Sequence, residues 1–280
     1  MNIKAQAKIN LFLDVLGLRS DGYHEILTVM QTLELHDILA VEASPEVKLQ
    51  VECSDPKVPS GPGNLVYKAA DLMREGYGGS GARIFINKNI PSSAGLAGGS
   101  SDAAAALKCL NTAWNLHISP GELFSLGEKI GSDVPFCLMG NTAVARGRGE
   151  ILTPLPPFSG AGVVLAKPSF GVSTARAYSL YDTLPPVPER DLGPLVRAME
   201  NKDVAAVAGL MYNALERVTI SLYPEIMNIK YALMEAGAAG SLMTGSGPTV
   251  FGLCSGPAEA MAVASRLRLP GCKIIVTSTV

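Results

Sequence analysis

Hydrophobic residues follow two patterns along this chain, one typical of strands and one typical of helices. Runs rich in Val, Leu and Ile predict strands within 3–16, 32–43, 47–53, 84–87, 163–166, 241–244, 249–254 and 273–277. Helical spacing and capping signals predict helices near 64–74, 101–114, 119–131, 174–181, 192–207, 224–235 and 257–267. Because strands and helices do not alternate strictly, we expect an α+β fold with mixed sheets and helices packed on them.

The size of the chain and one change in composition bear on its domains. A length of 280 residues suits one large domain or two closely packed ones. Prolines and glycines cluster at 153–162, where we place the boundary. The predicted domains are an N-terminal one, residues 1–155, and a C-terminal one, residues 156–280.

A glycine-rich segment is the most informative part of the sequence. Residues 91–106 read P-S-S-A-G-L-A-G-G-S-S-D-A-A-A-A, which predicts a loop that leads from the strand at 84–87 into a helix. The first amides of a helix lack internal partners and carry partial positive charge, so such a junction binds phosphate. Ser100, Ser101 and Asp102 lie at the predicted helix start, where they can cap the helix or reach a phosphate-bound metal. The alternative is a structural turn that permits tight helix packing.

Other nucleotide-binding signals are missing or misplaced. Residues 76–81 read G-Y-G-G-S-G, a formal match to the dinucleotide fingerprint, but a helix precedes them and a strand follows, which is the reverse of the required order. We interpret this segment as a helix stop followed by a turn. The sequence has neither G-x-x-x-x-G-K-[ST] nor the H-R-D and D-F-G pattern of protein kinases. Phosphate bound at 91–106 is therefore held by a different architecture.

Composition excludes several classes of protein. With 48% hydrophobic and 17% charged residues the chain is not disordered, and a formal net charge of −2 argues against bulk nucleic-acid binding. The five cysteines are odd in number and form no C-x-x-C pair, as expected for free thiols in a reducing cytosol. Charges at Lys4, Lys8 and Asp14 interrupt the N-terminus too often for a signal peptide. We expect a cytoplasmic protein with neither membrane nor nucleic acid as a partner.

Three segments in order resemble the motifs of the GHMP kinase superfamily, named after galactokinase and the homoserine, mevalonate and phosphomevalonate kinases. A-K-I-N-L-F-L-D-V-L-G at 7–17 resembles the first motif, the loop at 91–105 resembles the phosphate loop, and L-M-T-G-S-G-P-T-V-F-G-L at 242–253 resembles the third motif. The resemblance spans almost the whole chain. It implies a two-lobed fold that uses ATP, with Mg²⁺, to phosphorylate a small molecule.

Three further details resemble the members of that superfamily that act on a cytidyl-bearing alcohol. They are R-S-D-G-Y-H-E-I at 19–26, G-S-D-V-P-F-C-L at 131–138 and the Gly-Gly-Ser-Ser-Asp end of the loop. This resemblance implies phosphorylation of the 2-hydroxyl of an erythritol moiety, a step of isoprenoid biosynthesis by the non-mevalonate route.

Two residues are candidates for catalysis. Phosphoryl transfer needs positioning, charge stabilisation and a group that accepts the hydroxyl proton. Asp133, an acid framed by apolar sequence, is the candidate base, and the alternative is that it caps a turn. Alternation in the first strand leaves open whether Lys8 faces solvent or is a buried functional charge. The resemblance favours a lysine that holds and polarises the substrate hydroxyl.

Substrate recognition is expected from aromatic and small residues. Tyr23 and His24 are either a surface pair or the group that stacks on and hydrogen-bonds a cytosine ring. Tyr178 is a candidate for the opposite face of that stack. The turn at 245–249 allows close approach, although a plain hairpin would look similar. The candidate substrate-binding residues are Asn10, Tyr23, His24, Thr174, Tyr178, Gly245 and Ser246.

The expected ATP site centres on the phosphate loop. Its candidate residues are Pro91, Ser92, Ser93, Ala94, Gly95, Leu96, Ala97, Gly98, Gly99, Ser100 and Ser101, with Asn64 and Lys68 near the adenine. Ser100 or Ser101 is the candidate protein ligand of Mg²⁺. Some superfamily members use a glutamate further along the loop helix, and here that stretch has Ala103–Ala106, Leu107 and Lys108 instead.

Two rival functions remain open from the sequence. The first is another enzyme of the superfamily, such as a homoserine or mevalonate kinase or a diphosphomevalonate decarboxylase, and the Tyr23–His24 pair argues against it. The second is a non-catalytic sensor of ATP and sugar, which the presence of both Lys8 and Asp133 disfavours.

Overall fold

The structure is a computed structural model that describes residues 1–46, 48–185 and 187–280. The strands are β1 Asn2–Leu18, β2 His24–Ala43, β3 Gln50–Cys53, β4 Ala82–Asn87, β5 Thr142–Arg146, β6 Ile151–Pro154, β7 Gly162–Pro168, β8 Tyr212–Asn213, β9 Gly240–Met243, β10 Val250–Cys254 and β11 Cys272–Ser278. The helices are α1 Leu65–Tyr77, α2 Gly98–Ala113, α3 Pro120–Ile130, α4 Val134–Met139, α5 Thr174–Tyr181, α6 Gly193–Glu200, α7 Val204–Leu210, α8 Glu216–Leu222, α9 Glu225–Glu235 and α10 Pro257–Arg266. This mixture confirms the α+β class.

The first of two compact units comprises residues 1–7, 35–92 and 97–140. Strand β4 pairs antiparallel with 38–43 of β2 and parallel with β3. Strict alternation along β4 buries Ala82, Ile84 and Ile86 on one face, which joins a core formed with helices α1 to α4. The alanines at 103–106 of α2 are all buried in this core. Their small side chains let α2 pack closely, so the alanine run serves packing as well as helix propensity.

The second unit comprises residues 8–34, 93–96 and 141–280. Its four-stranded antiparallel sheet has the order β11-β7-β10-β9, and every residue of the inner strand β7 is buried. Residues 28–31 of β2 pair with β5, which pairs in turn with β6. Strand β1 pairs in parallel with the two-residue strand β8. The predicted boundary at 155/156 stays a prediction.

Most predicted elements agree with the structure. Helices α1, α2, α3, α5, α9 and α10 and strands β1, β4, β7, β9, β10 and β11 lie where the sequence predicts them, with small shifts at their ends. Strand β3 is shorter than predicted, and Val47, at the start of the predicted strand, lies outside the described residues. Ser119 Oγ accepts a hydrogen bond from the N–H of Glu122, and the Ser119 N–H donates to Glu122 Oε2 at 3.1 Å, which forms a capping box at the start of α3.

The single helix predicted over 192–207 is wrong. Helix α6 ends at Glu200 and α7 begins at Val204. Between them Lys202 takes a left-handed φ of 53°, and Asp203 caps α7 by accepting a hydrogen bond from Ala206. An Asn-Lys-Asp sequence therefore stops one helix and starts the next. The pattern also misses α4, α8, β5, β6 and β8, which are two to seven residues long.

The segment at 76–81 ends a helix, as predicted. Gly78 has a left-handed φ of 79°, its N–H donates to the carbonyl of Arg74, and β4 follows. Within the described ranges, no helix combines the length and the apolar character that crossing a bilayer requires.

Candidate active site

The glycine-rich loop leads directly into helix α2, as the sequence predicts. The helix begins at Gly98, and Ala97 occupies the cap position with a φ of 55° and no side-chain cap. Ser100, Ser101 and Asp102 lie inside the helix, so the expectation that they cap it is wrong. Because no side chain caps this end, the first amides of α2 keep the anion-binding character on which the phosphate-site prediction depends.

A buried ion cluster supports the first turns of α2. The Lys88 ammonium donates to Asp37 Oδ2 and, at 2.9 Å, to Asp102 Oδ2. Asp37 Oδ1 also accepts the backbone N–H groups of Asn89 and Ile90 at 2.6 and 2.8 Å. Burial raises the pKa of Asp102 to about 7, against the opposing effect of Lys88. The cluster ties the end of β4 to α2.

The first motif places a charged side chain in the interior of the second unit. Lys8 is 4% exposed, so the solvent-facing alternative is wrong. Its Nζ donates to Asn10 Oδ1 at 2.7 Å, and the Asn10 amide donates to Thr28 Oγ1 at 2.9 Å. The Lys8 N–H donates to the carbonyl of Leu96 in the glycine-rich loop at 3.1 Å. Lys8 and Asn10 thus face the same side, and the backbone of the first motif contacts the loop.

The third motif connects the paired strands β9 and β10. Gly245 takes a φ of 57°, and Ser246 is 8% exposed. The hydroxyl groups of Thr174 and Ser246 lie 2.9 Å apart, so two predicted substrate-binding residues meet although they are 72 positions apart in sequence. Thr244, just before the turn, hydrogen-bonds Asn10 of the first motif and Gly95 of the loop. Residues from all three motifs therefore converge within the second unit.

The aromatic candidates occupy two environments. His24 stacks on Tyr178, with ring centroids 4.7 Å apart, and its Nε2 lies 2.7 Å from Asp182 Oδ1. Tyr23 is 53% exposed, and the Arg148 guanidinium carbon lies 4.8 Å from its ring centroid. Tyr178 thus contacts His24, and its role on the opposite face of a stacked base stays a prediction. Nothing in the A-R-G-R-G sequence around Arg148 distinguishes it from a surface charge, so its contact with Tyr23 is seen only in the structure.

The candidate base lies in the first unit. Asp133 is half-buried and occupies the cap position of α4, but its side chain makes no cap hydrogen bond. The Asp133 side chain therefore does not cap this helix, and its role as the base stays a prediction. Among the adenine candidates, Lys68 is exposed, whereas Asn64 accepts from the Val66 N–H and donates to the Pro59 carbonyl. Asn64 therefore serves the start of α1, and its contact with adenine stays a prediction.

Comparisons with known proteins agree with these motifs. Residues 64–141 match the family described as GHMP kinases N terminal domain, and residues 195–271 match GHMP kinases C terminal. The 4-diphosphocytidyl-2-C-methyl-D-erythritol kinase of Pelotomaculum thermopropionicum is 52% identical over 278 residues, 98% of this chain and 96% of the relative. The protein of the same name from Moorella thermoacetica is 46% identical over 282 residues, 100% of this chain and 99% of the relative.

Solved structures extend the comparison. A crystal structure of 4-(cytidine 5'-diphospho)-2C-methyl-D-erythritol kinase has a TM-score of 0.83 and 35% identity, covering 100% of this chain and 99% of the other. Homoserine kinase from Cytophaga hutchinsonii has a TM-score of 0.73 at 19% identity over 100% of this chain and 94% of the other, and so shares the fold.

The fold, the phosphate-loop helix and both matched domains define an ATP-dependent small-molecule kinase of the GHMP superfamily. The resemblance seen in the sequence is thereby confirmed. Within that superfamily, the full-length relatives show that the chain belongs to the 4-diphosphocytidyl-2-C-methyl-D-erythritol kinase family.

Proposed function

We propose that this protein transfers the γ-phosphoryl group of ATP to the 2-hydroxyl of 4-diphosphocytidyl-2-C-methyl-D-erythritol, in the non-mevalonate isoprenoid pathway. The observation that carries the proposal is the buried Lys8 ammonium, held at 2.7 Å from Asn10 Oδ1 in the first motif. A buried lysine is costly unless a function or a partner retains it. The choice of substrate follows from relatives with that name at 52% and 46% identity.

The reaction assigns one role to each charged group. The substrate oxygen bonds to the γ-phosphorus while the bond from that phosphorus to the β–γ bridging oxygen breaks, and ADP leaves. Asp133 accepts the hydroxyl proton as general base. Lys8 orients and polarises the hydroxyl, and Asn10 hydrogen-bonds the hydroxyl groups of the substrate.

The loop and helix α2 bind the phosphates of ATP. The backbone amides of residues 95–100 supply donors and the positive end of the helix dipole. Mg²⁺, when bound, would neutralise negative charge on the phosphates of ATP. Its protein ligand would be Ser100 or Ser101; the Ser101 hydroxyl donates its proton to the Gln6 carbonyl at 2.6 Å and so keeps oxygen lone pairs for a cation. A hydroxyl oxygen is a suitable ligand for Mg²⁺, which takes most of its coordination shell from phosphate and water.

The cytidyl group is recognised by the aromatic residues of the second unit. Tyr23 exposes much of its ring for stacking, with Arg148 near that ring, and His24 hydrogen-bonds the edge of the base. Thr174 and Ser246, whose hydroxyls meet, contact the rest of the substrate together with Gly245. A cytoplasmic location stays a prediction.

A comparison of alcohols tests the proposal. The purified protein with ATP and Mg²⁺ should release ADP with the cytidyl alcohol and not with homoserine or mevalonate. Asp133→Asn should lower kcat at least about 100-fold, the usual contribution of a general base, whereas the partly exposed Asp71→Asn should not. Parental turnover in Asp133→Asn would remove Asp133 from the mechanism. Preference for homoserine or mevalonate would reassign the substrate, and no turnover of any alcohol would favour the sensor.

A further inference from the structure

A segment outside the three motifs holds the turn of the third motif in place. Residues 213–216 read N-A-L-E, and Asn213 is 2% exposed. Its amide nitrogen donates to the carbonyls of Met243 and Gly245 at 2.7 and 2.8 Å, and its Oδ1 accepts from the Leu215 N–H at 3.0 Å. Both N–H groups of the Asn213 side-chain amide thus donate to the residues on either side of Thr244.

Glu216 supplies a further hydrogen bond to the end of strand β9. Its Oε1 accepts the Met243 N–H at 2.8 Å, and its Oε2 pairs with Lys230 at 2.5 Å. Strand β9 lies at the end of the sheet order, so its outer backbone groups need partners other than a strand. Side chains of Asn213 and Glu216 supply those partners for both polar groups of Met243.

Thr244 is held firmly by this arrangement and is fully buried. Its N–H donates to the carbonyl of Thr249, and its own carbonyl accepts from Gly247, both at 3.0 Å. Its hydroxyl accepts the Asn10 N–H at 3.1 Å and lies 3.3 Å from both Asn10 Oδ1 and the Gly95 carbonyl. A hydroxyl has one proton, so these two oxygens share it.

Hydrogen bonds therefore link the hydroxyl of Thr244 to two parts of the proposed machinery, directly to the first and through Asn10 to the second. One is the phosphate loop, through Gly95. The other is Lys8, whose Nζ donates to the same Asn10 Oδ1. We propose that Asn213 and Thr244 are positioning residues of the phosphoryl transfer: Asn213 fixes the backbone at 243–245, and Thr244 thereby aligns Asn10, and through it Lys8, with the loop at Gly95.

This inference rests on the proposed function and is tested by removing the hydroxyl alone. Thr244→Val should lower kcat about tenfold, because Asn10 and Lys8 lose a fixed partner. The KM for the cytidyl alcohol should rise by a smaller factor than kcat falls, because base recognition is untouched and only the contacts of Asn10 with the substrate hydroxyls change. Thr244→Ser restores the hydroxyl and should keep kcat within about threefold of the parent.

A matched variant separates positioning from general destabilisation. Thr142 is also buried and bonded, to Gln31 Oε1 at 2.7 Å and to the Phe158 N–H at 3.2 Å, and it is not among the proposed site residues. Thr142→Val should lower the melting temperature and leave kcat unchanged. Asn213→Asp, which turns an oxygen toward two carbonyls, should lower kcat at least as much as Thr244→Val.

The outcomes distinguish this inference from the proposed function. An active parent whose Thr244→Val variant keeps full kcat would overturn the positioning role and leave the kinase assignment intact. Equal kcat losses in Thr244→Val and Thr142→Val would also overturn it. A parent that phosphorylates no alcohol would overturn the kinase assignment itself. In a crystal structure of Thr244→Val, a shift of the Asn10 side chain relative to the parent would support the positioning role, and an unmoved Asn10 would contradict it.

Discussion

Replacing Lys88 by methionine should destabilise the first unit strongly. Lys88 is 7% exposed and is the cation between Asp37, fully buried, and Asp102, 4% exposed. Methionine keeps much of the side-chain length and removes only the charge and its donors. The variant leaves two buried carboxylates facing each other, and at least one of them must take up a proton or unfold the site.

The expected loss in the free energy of unfolding is about 3–5 kcal/mol, the usual cost of removing one partner of a buried ion pair. The two carboxylates should differ in how much each contributes to the free energy of unfolding. Asp37 also accepts two backbone N–H groups, whereas Asp102 Oδ1 is buried with no hydrogen-bond partner among the described residues. The cluster carries one more negative charge than positive. Asp102→Asn should therefore cost less than about 1 kcal/mol, and Asp37→Asn should cost several times more.

Urea unfolding of the parent, the three single variants and one double variant measures this order. The parent and Asp102→Asn should have similar midpoints, and Lys88→Met should have the lowest. Adding Asp102→Asn to Lys88→Met should recover part of the loss, because only one buried charge then remains without a cation. A Lys88→Met variant as stable as the parent, or equal losses for the two aspartate variants, would refute the buried-cluster reasoning.

Three further predictions concern the second unit. Gly95→Ala should lower the melting temperature and ATP affinity, because Gly95 has a φ of 75° and a Cβ there would lie 2.5 Å from the Thr244 carbonyl oxygen. The control is Gly271→Ala, at a φ of 80° in open space, which should lose less stability and no ATP affinity. Burial raises the pKa of Asp14 above its usual 3.8, so the unfolded chain ionises first and the parent loses stability as pH rises above about 4. Urea midpoints from pH 4 to 7 should fall more steeply in the parent than in Asp14→Asn, which keeps the loss due to the raised pKa of Asp102, and parallel curves would contradict the prediction. Tyr23→Ala should raise the KM for the cytidyl alcohol about 5- to 150-fold, from a stacking energy of about 1–3 kcal/mol, with the KM for ATP unchanged; equal losses for both ligands would refute the stacking role.

Local signals predict the parts of this fold that local interactions build. The Ser-Pro start of α3 contains its own capping box, and the glycine-rich loop predicts the start of α2. Buried and exposed residues alternate strictly along strand β4, and the sequence predicts its ends to within two residues. The break between α6 and α7 shows the limit, because Asn-Lys-Asp is compatible with a helix interior until Asp203 is seen to cap the second helix. Short elements such as β8 depend on a strand partner that no local pattern reveals.

The residues that position the site cannot be predicted from the sequence, for a related reason. Lys8, Asn10 and the glycine-rich loop carry recognisable motifs, but Thr244 acts on Asn10 across 234 positions of the chain, and Asn213 acts on Met243 across 30. An asparagine before a helix reads as an ordinary cap, and a threonine before a glycine turn reads as an ordinary strand end. Their chemistry becomes specific only when the fold brings their amide and hydroxyl groups to particular backbone atoms. Motifs therefore identify the groups proposed to touch ATP and substrate, whereas tertiary hydrogen bonds identify the groups that hold them at the required positions.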